Sequence, residues 1–149
     1  MQTKNIMIVG VGGQGTLLAS KLLGRILLSK GYDVKVSEVH GMSQRGGSVV
    51  TYVRYGNKVY SPVIALGEAD FIVSFEKLKA NGADVFAFDA LSLAAEAGTA
   101  RAVNIVLLGK FAKETDIPAD KWIEAIKACV KPQFIDVNVK AFNLGYGIE

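Results

Sequence analysis

Hydrophobic and polar positions follow two rhythms along this chain, and each change of rhythm marks an element. Asn5 to Val9 is a short apolar run that stops at Gly10, the pattern of a buried parallel strand. Leu18, Ala19, Leu22, Leu23, Ile26 and Leu27 then recur at three- and four-residue intervals, which makes one broad apolar helix face. Gly31 falls where a helix commonly ends on a glycine. Val34 to Val39 predicts a second strand, so the opening unit is a βαβ crossover. From Ser48 to Tyr55 the period shortens to two, and β-branched and aromatic residues predict a strand. Gly56-Asn57 is a turn signal, after which Lys58-Val59-Tyr60 reads as the returning strand of a hairpin.

Further on, Leu66 to Asp70 reads as a short turn or helix, and Phe71–Phe75 and Val85–Phe88 as strands. Leu91–Ala97 predicts a helix closed by Gly98, and Val103–Lys113 an apolar helix running through Gly109. Pro118 opens a helix over Ala119–Val130, with Asp120 in its first turn. The tail supports two patterns. Phe134 to Val139 alternates like a strand, whereas Ile135, Val139 and Phe142 share a helix face; helix is the favoured reading. No repeat or linker intervenes. The expected architecture is one α/β domain over residues 1–149, Rossmann-like and three-layered, with a mostly parallel sheet elaborated by a β-hairpin.

Composition narrows the function. Half of the 149 residues are hydrophobic and 21% are charged, which excludes a disordered chain. A mean hydropathy of +0.30 in so small a domain suggests apolar surface covered by a partner or by a further copy of the chain. The net charge of +3, with no block of like charge, does not indicate nucleic-acid binding. No apolar run approaches a membrane span, and the N-terminus enters the first strand without signal-peptide regions, so the expected location is cytoplasmic. Cys129 is the only cysteine. The chain alone therefore makes no internal disulfide, zinc knuckle or iron–sulfur cluster, and Cys129 reads as a small buried hydrophobe.

Two glycine-rich loops carry the candidate chemistry. Gly10-Val11-Gly12-Gly13-Gln14-Gly15 follows a strand and opens a helix, the context that gives a Gly-x-Gly-x-x-Gly spacing meaning. Gly10 suits the tight turn, Gly12 a close approach to phosphate, and Gly15 close helix–strand packing. Helix N-terminal N–H groups favour an anion, and the Gln14 amide is expected to face the ligand position. Glu38 ends the second strand, where a ribose-binding acid belongs in dinucleotide sites. Such a loop can equally serve only to pack helix on sheet.

The second loop holds His40, Ser43, Gln44, Arg45, Gly46, Gly47 and Ser48 at the carboxyl end of the second strand. Arg45 suits a carboxylate or phosphate, Gly46-Gly47 can present backbone N–H groups to an anion, and His40 can move a proton near neutrality. No Ser/Cys–His–acid arrangement or metal-ligand spacing accompanies them, so no catalytic or metal-binding residue is assigned. Each also has a structural reading: a hydrogen-bonded histidine, an arginine pinning its loop or a partner, a serine capping a turn.

Gly10–Gly15 together with Ser37-Glu-Val-His-Gly-Met-Ser-Gln-Arg-Gly-Gly-Ser48 resembles the gamma-type domain of 2-oxoacid:ferredoxin oxidoreductases, most nearly the beta subunit of indolepyruvate ferredoxin oxidoreductases. Phe88–Gly98, Arg101–Gly109 and Lys140–Tyr146 extend the resemblance over most of the chain. The resemblance implies a subunit, inactive alone, of a complex that oxidatively decarboxylates a 2-oxoacid, forms an acyl-CoA and passes electrons to ferredoxin. It implies that thiamine diphosphate and the iron–sulfur clusters belong to a larger partner subunit. The two loops become a ligand- or interface-facing edge, with His40 and Arg45 as candidates for touching substrate, CoA or the partner. A stand-alone NAD(P)-binding reductase and a structural adaptor are the alternatives. One departure stands out: members carry a few tens more residues, including a strand and a helix, where this chain runs Glu76 to Asp84. Either the chain is naturally shortened there or, the favoured reading, a further mobile segment lies between about Lys77 and Leu78.

Overall fold

The structure, a computed structural model, describes residues 2–41, 46–75 and 88–148. Its sheet contains β1 (Lys4–Val11), β2 (Asp33–His40), β3 (Ser48–Gly56) and β4 (Phe71–Ser74), in the spatial order β2-β3-β1-β4. Helix α1 (Thr16–Ser29) links β1 to β2, and α2 (Ala90–Ala97), α3 (Val103–Lys113), α4 (Ala119–Cys129) and α5 (Ile135–Tyr146) follow. β1 pairs parallel with β4 and antiparallel with β3, and β3 pairs antiparallel with β2. Three strands therefore run one way and β3 alone opposes them. The α/β class is the one the sequence predicts; the sheet is mixed and not mostly parallel, because β3 inserts between β1 and β2 and makes two of the three strand pairings antiparallel.

The hairpin is built differently from the expectation. Its arms are β2 and β3, and Lys58–Tyr60 forms no strand. The backbone N–H of Val59 instead donates to Asp33 Oδ2 (2.9 Å), at the start of β2. A return strand after β3 had no free edge to join, because β1 and β2 already flank β3. Residues 85–87 of the strand expected at Val85–Phe88 lie outside the described residues, and Phe88 is in no regular element.

Register decides which residues share a face, because directly paired residues point the same way. Ile6, Val53 and Val36 form one row; Ile8, Thr51 and Glu38 form the next; Phe71 and Val73 continue the two rows on β4. This face meets the helices: Phe71 packs edge-on against Phe111 of α3, and Val36 lies under Gly24 of α1. Ile6, Ile8, Thr51 and Val53 are fully buried there, with Leu22, Leu23, Ile26 and Leu27 of α1 in the same core. Their burial contributes on the order of 1.5–3 kcal/mol per large aliphatic side chain.

Helices α3 and α5 cross closely enough for backbone contact. A Cβ on Gly145 would stand 1.9 Å from Val106 O, and one on Gly109 would stand 2.2 Å from Phe142 O. Gly109 in mid-helix, a propensity cost in isolation, is thus required by packing. The tail is helical, as favoured: α5 places Phe142 between Trp122 of α4 and Tyr146 in an aromatic stack.

The opposite sheet face carries Met7, Val9, Val50, Tyr52, Val39 and Ile72. None of them is buried, and Val39 and Ile72 are about half exposed. Its lower end is covered by residues 57–70, which Arg54 holds by donating to Asn5 Oδ1 and to the carbonyls of Ser61 and Val63.

Candidate functional site

Both glycine loops sit at the same edge of the sheet because β1 and β2 run parallel and end there, and β3 begins there. A backbone bond joins them: Gly12 N–H donates to Gly47 O (2.9 Å). Gly41 N–H donates to Ser48 O (2.9 Å), which closes the base of the second loop. Gly12, Gly13, Gln14, Gly15, Glu38, His40, Gly46 and Gly47 are therefore brought to one edge. Ser43, Gln44 and Arg45 lie outside the described residues.

Within the first loop, three expectations change. The N–H of Gly12 is already committed to Gly47, so it is not open to a phosphate. The Gln14 side chain turns into its own loop, where Oε1 accepts from Val11 N (2.9 Å). Gly10 leaves room for that amide, since a Cβ would stand 2.8 Å from Gln14 Oε1. The open positions are Gly13 (φ +97) and Gly46 (φ +74), both exposed, left-handed and with empty space where a Cβ would project. Gly15 (φ +86) precedes α1, and no side chain caps that helix. Its uncapped first turn leaves backbone donors and partial positive charge facing the loop edge.

Asn104 is the residue that sequence reasoning missed. It is 3% exposed at the start of α3, and its Nδ2 donates to Gly15 O (3.2 Å). This amide ties the helical layer to the loop and fills the space a side chain at position 15 would need. Its signal in the sequence was a polar residue inside the apolar run from Val103 to Leu108.

Glu38 and His40 form a pair, with His40 Nε2 at 2.8 Å from Glu38 Oε1. Thr51, fully buried on β3, donates its hydroxyl to Glu38 Oε2 (3.1 Å). Glu38 is mostly covered and His40 mostly open. The carboxylate thus orients the imidazole instead of reaching outward. Topology also removes Glu38 from a ribose-binding role. In a dinucleotide fold the acid-bearing strand adjoins the glycine-loop strand; here β3 lies between, so β2 stands two strand spacings, about 9.5 Å, from β1.

Among the described residues no group of three or more His, Cys, Asp or Glu is placed to hold a metal, and no helix is long and apolar enough to cross a membrane. A shallow cavity of about 490 Å³ lies away from the loops, against α4 and α5, and includes Lys127, Asp136 and Lys140.

The sequence pattern described as pyruvate ferredoxin/flavodoxin oxidoreductase matches residues 5–80 and 77–148. The chain belongs to the pyruvate ferredoxin/flavodoxin oxidoreductase family. Among its curated relatives, the indolepyruvate oxidoreductase subunit IorB of Pyrococcus horikoshii is 39% identical over 192 residues, covering 97% of this chain and 95% of that protein. The crystal structure of a keto/oxoacid ferredoxin oxidoreductase gamma subunit from Geobacter sulfurreducens superposes with a TM-score of 0.80 at 22% identity, over 96% of each chain. A 2-oxoglutarate:ferredoxin oxidoreductase from Magnetococcus marinus, with 2-oxoglutarate, coenzyme A and succinyl-CoA bound, gives a TM-score of 0.80 at 17% identity. It covers 98% of this chain but 31% of its own, so there the oxidoreductase-family fold is one part of a longer polypeptide.

Proposed function

We propose that this chain is the small, cofactor-free subunit of a 2-oxoacid:ferredoxin oxidoreductase, with indolepyruvate as the first substrate to test. The observation that carries the reading is 39% identity along nearly the whole chain to an indolepyruvate oxidoreductase subunit. The reaction removes CO2 from the 2-oxoacid, joins the acyl group to CoA and delivers two electrons to ferredoxin. A single cysteine fits a subunit that leaves the iron–sulfur clusters, together with thiamine diphosphate, to a larger partner. This chain's part is the loop edge: Gly13, Gly46, the uncapped start of α1 and the Glu38-oriented His40 face the partner or the CoA bound between them. Backbone donors beside exposed glycines suit phosphate groups or a partner's carboxylates. The stand-alone reductase reading loses support from the position of β3.

Native purification tests the proposal. A larger subunit containing thiamine diphosphate and iron should accompany the chain, and recovery of the chain alone overturns the proposal. Arg45→Ala separates a ligand-facing loop from an adaptor. Lower turnover with assembly intact supports the former; weaker assembly with unchanged turnover per complex supports the latter.

A further inference from the structure

Thr51 stands in the same sheet row as Ile8, and both are 0% exposed. Valine would fill such a position without a polar atom, and a buried hydroxyl is costly unless it is bonded. The bond it makes is to Glu38 Oε2 (3.1 Å). Register produces this contact, because Thr51 lies directly opposite Glu38. His40, two residues further along β2, falls on the same face. A buried hydroxyl, a covered carboxylate and an open imidazole thus follow one another towards the loop edge.

The inventory of donors and acceptors fixes where the protons sit. A carboxylate has no hydrogen to give, so it accepts at both oxygens. Glu38 Oε2 takes the Thr51 hydroxyl, and Oε1 lies 2.8 Å from His40 Nε2. The single N–H of a neutral imidazole therefore belongs on Nε2, which leaves Nδ1 as a bare acceptor. The His40 side chain is 62% exposed, and Nδ1 has no partner among the described residues. Its row continues through the buried Val49 to Gly10 of the first glycine loop, two strand spacings or about 9.5 Å away. The edge thus sets a side-chain acceptor beside the backbone donors of Gly13, Gly46 and the start of α1.

We infer that Thr51 and Glu38 are positioning residues that hold neutral His40 as the Nε2–H tautomer, so that Nδ1 accepts a hydrogen bond from an N–H, O–H or S–H group of the molecule seated on this edge. Neutral His40 is then no donor to phosphate. The glycine loops take the anionic part of that molecule, and His40 requires a hydrogen-bond donor beside it. Which molecule this is rests on the function proposed above, since CoA and a larger subunit both carry such donors.

His40 is the only histidine, so the full chain labelled with 15N-histidine shows one imidazole. Long-range proton–nitrogen correlation at about pH 9, where ordinary histidine is neutral, distinguishes the protonated from the bare ring nitrogen. The parent should show Nε2–H alone. Thr51→Val and Glu38→Ala should show the tautomer mixture of free histidine, and Thr51→Ser should regain the single form. A mixture or an Nδ1–H form in the parent, or a single Nε2–H form persisting in either disrupting variant, overturns the inference. Glu38→Ala, at the partly open edge, decides the matter if Thr51→Val fails to fold. In the assembled complex, His40→Ala should raise KM for CoA about 2- to 10-fold if the donor is on CoA, or weaken assembly by a like factor if it is on the larger subunit. Neither change overturns the acceptor role. A chain that joins no larger subunit refutes the proposed function instead, and leaves the tautomer result standing.

Discussion

Replacing Gly145 by Ala should destabilise the domain, whereas the same replacement at Gly24 should stabilise it. Both glycines are buried in helices, so propensity alone gives each alanine a gain of about 0.8–1 kcal/mol. Their surroundings reverse one sign. At Gly24 the nearest heavy atom to a new Cβ is Val36 Cγ2 at 3.9 Å, an ordinary contact, so the propensity gain survives. At Gly145 the Cβ would stand 1.9 Å from Val106 O. Reaching even 3.0 Å requires α3 and α5 to part by 1.1 Å, and the obstacle is backbone on a fully buried helix turn. Overpacking of this kind costs about 3 kcal/mol or more, leaving a net loss of about 2 kcal/mol. For a domain of this size that lowers Tm by about 4–8 °C, while Gly24→Ala raises it by about 2–4 °C. Thermal melts followed by circular dichroism compare the two with the parent. A Gly145→Ala protein melting at or above the parent temperature would refute the close crossing of α3 and α5.

Three further outcomes are expected. Asn104→Ala removes the buried amide that donates to Gly15 O and should cost about 1–3 kcal/mol, read by urea denaturation, with faster proteolysis in the first glycine loop. Asp89 caps α2 by accepting from Ser92 N and Ser92 Oγ, bonds that hold its carboxyl below the usual carboxylate range. Its contribution is therefore complete above the ordinary aspartate pKa and is lost as pH falls through the lower folded value; Asp89→Asn should flatten this acid-side loss in a pH series of melts. Saturating NADH or NADPH should leave Tm unchanged, whereas true binding at 100 times Kd would add about 2.7 kcal/mol, and a clear rise would restore the dinucleotide reading.

Much of the fold was legible because helices and short buried strands announce themselves locally. The α1 face from Leu18 to Leu27 and the α3 run predicted their elements, and Gly31 and Gly98 marked helix ends with positive φ. The partner of each strand was not legible. Alternation from Ser48 to Tyr55 shows that β3 is a strand, but not that it inserts between β1 and β2, since pairing is fixed by contacts remote in sequence. The same gap misplaced Glu38: its distance along the chain fitted a ribose acid, and its distance across the sheet does not. Glycine density marked two loops that the fold brings to one edge, but Gln14 and Gly12 looked available because their internal bonds to Val11 and Gly47 depend on the folded loops.

The reversed strand also sets an order of assembly. β2 and β3 zip from His40–Val49, nine residues apart, whereas the closest β1–β3 pair, Val11–Ser48, spans 37 residues. Loop-closure entropy favours the shorter connection first. The local hairpin should form early and offer its β3 edge to β1, so the tie between the two glycine loops comes late. Pulsed hydrogen exchange should then protect the Tyr52 amide, which faces Ser37 of β2, before that of Gly12, making this edge the last part of the described sheet to mature.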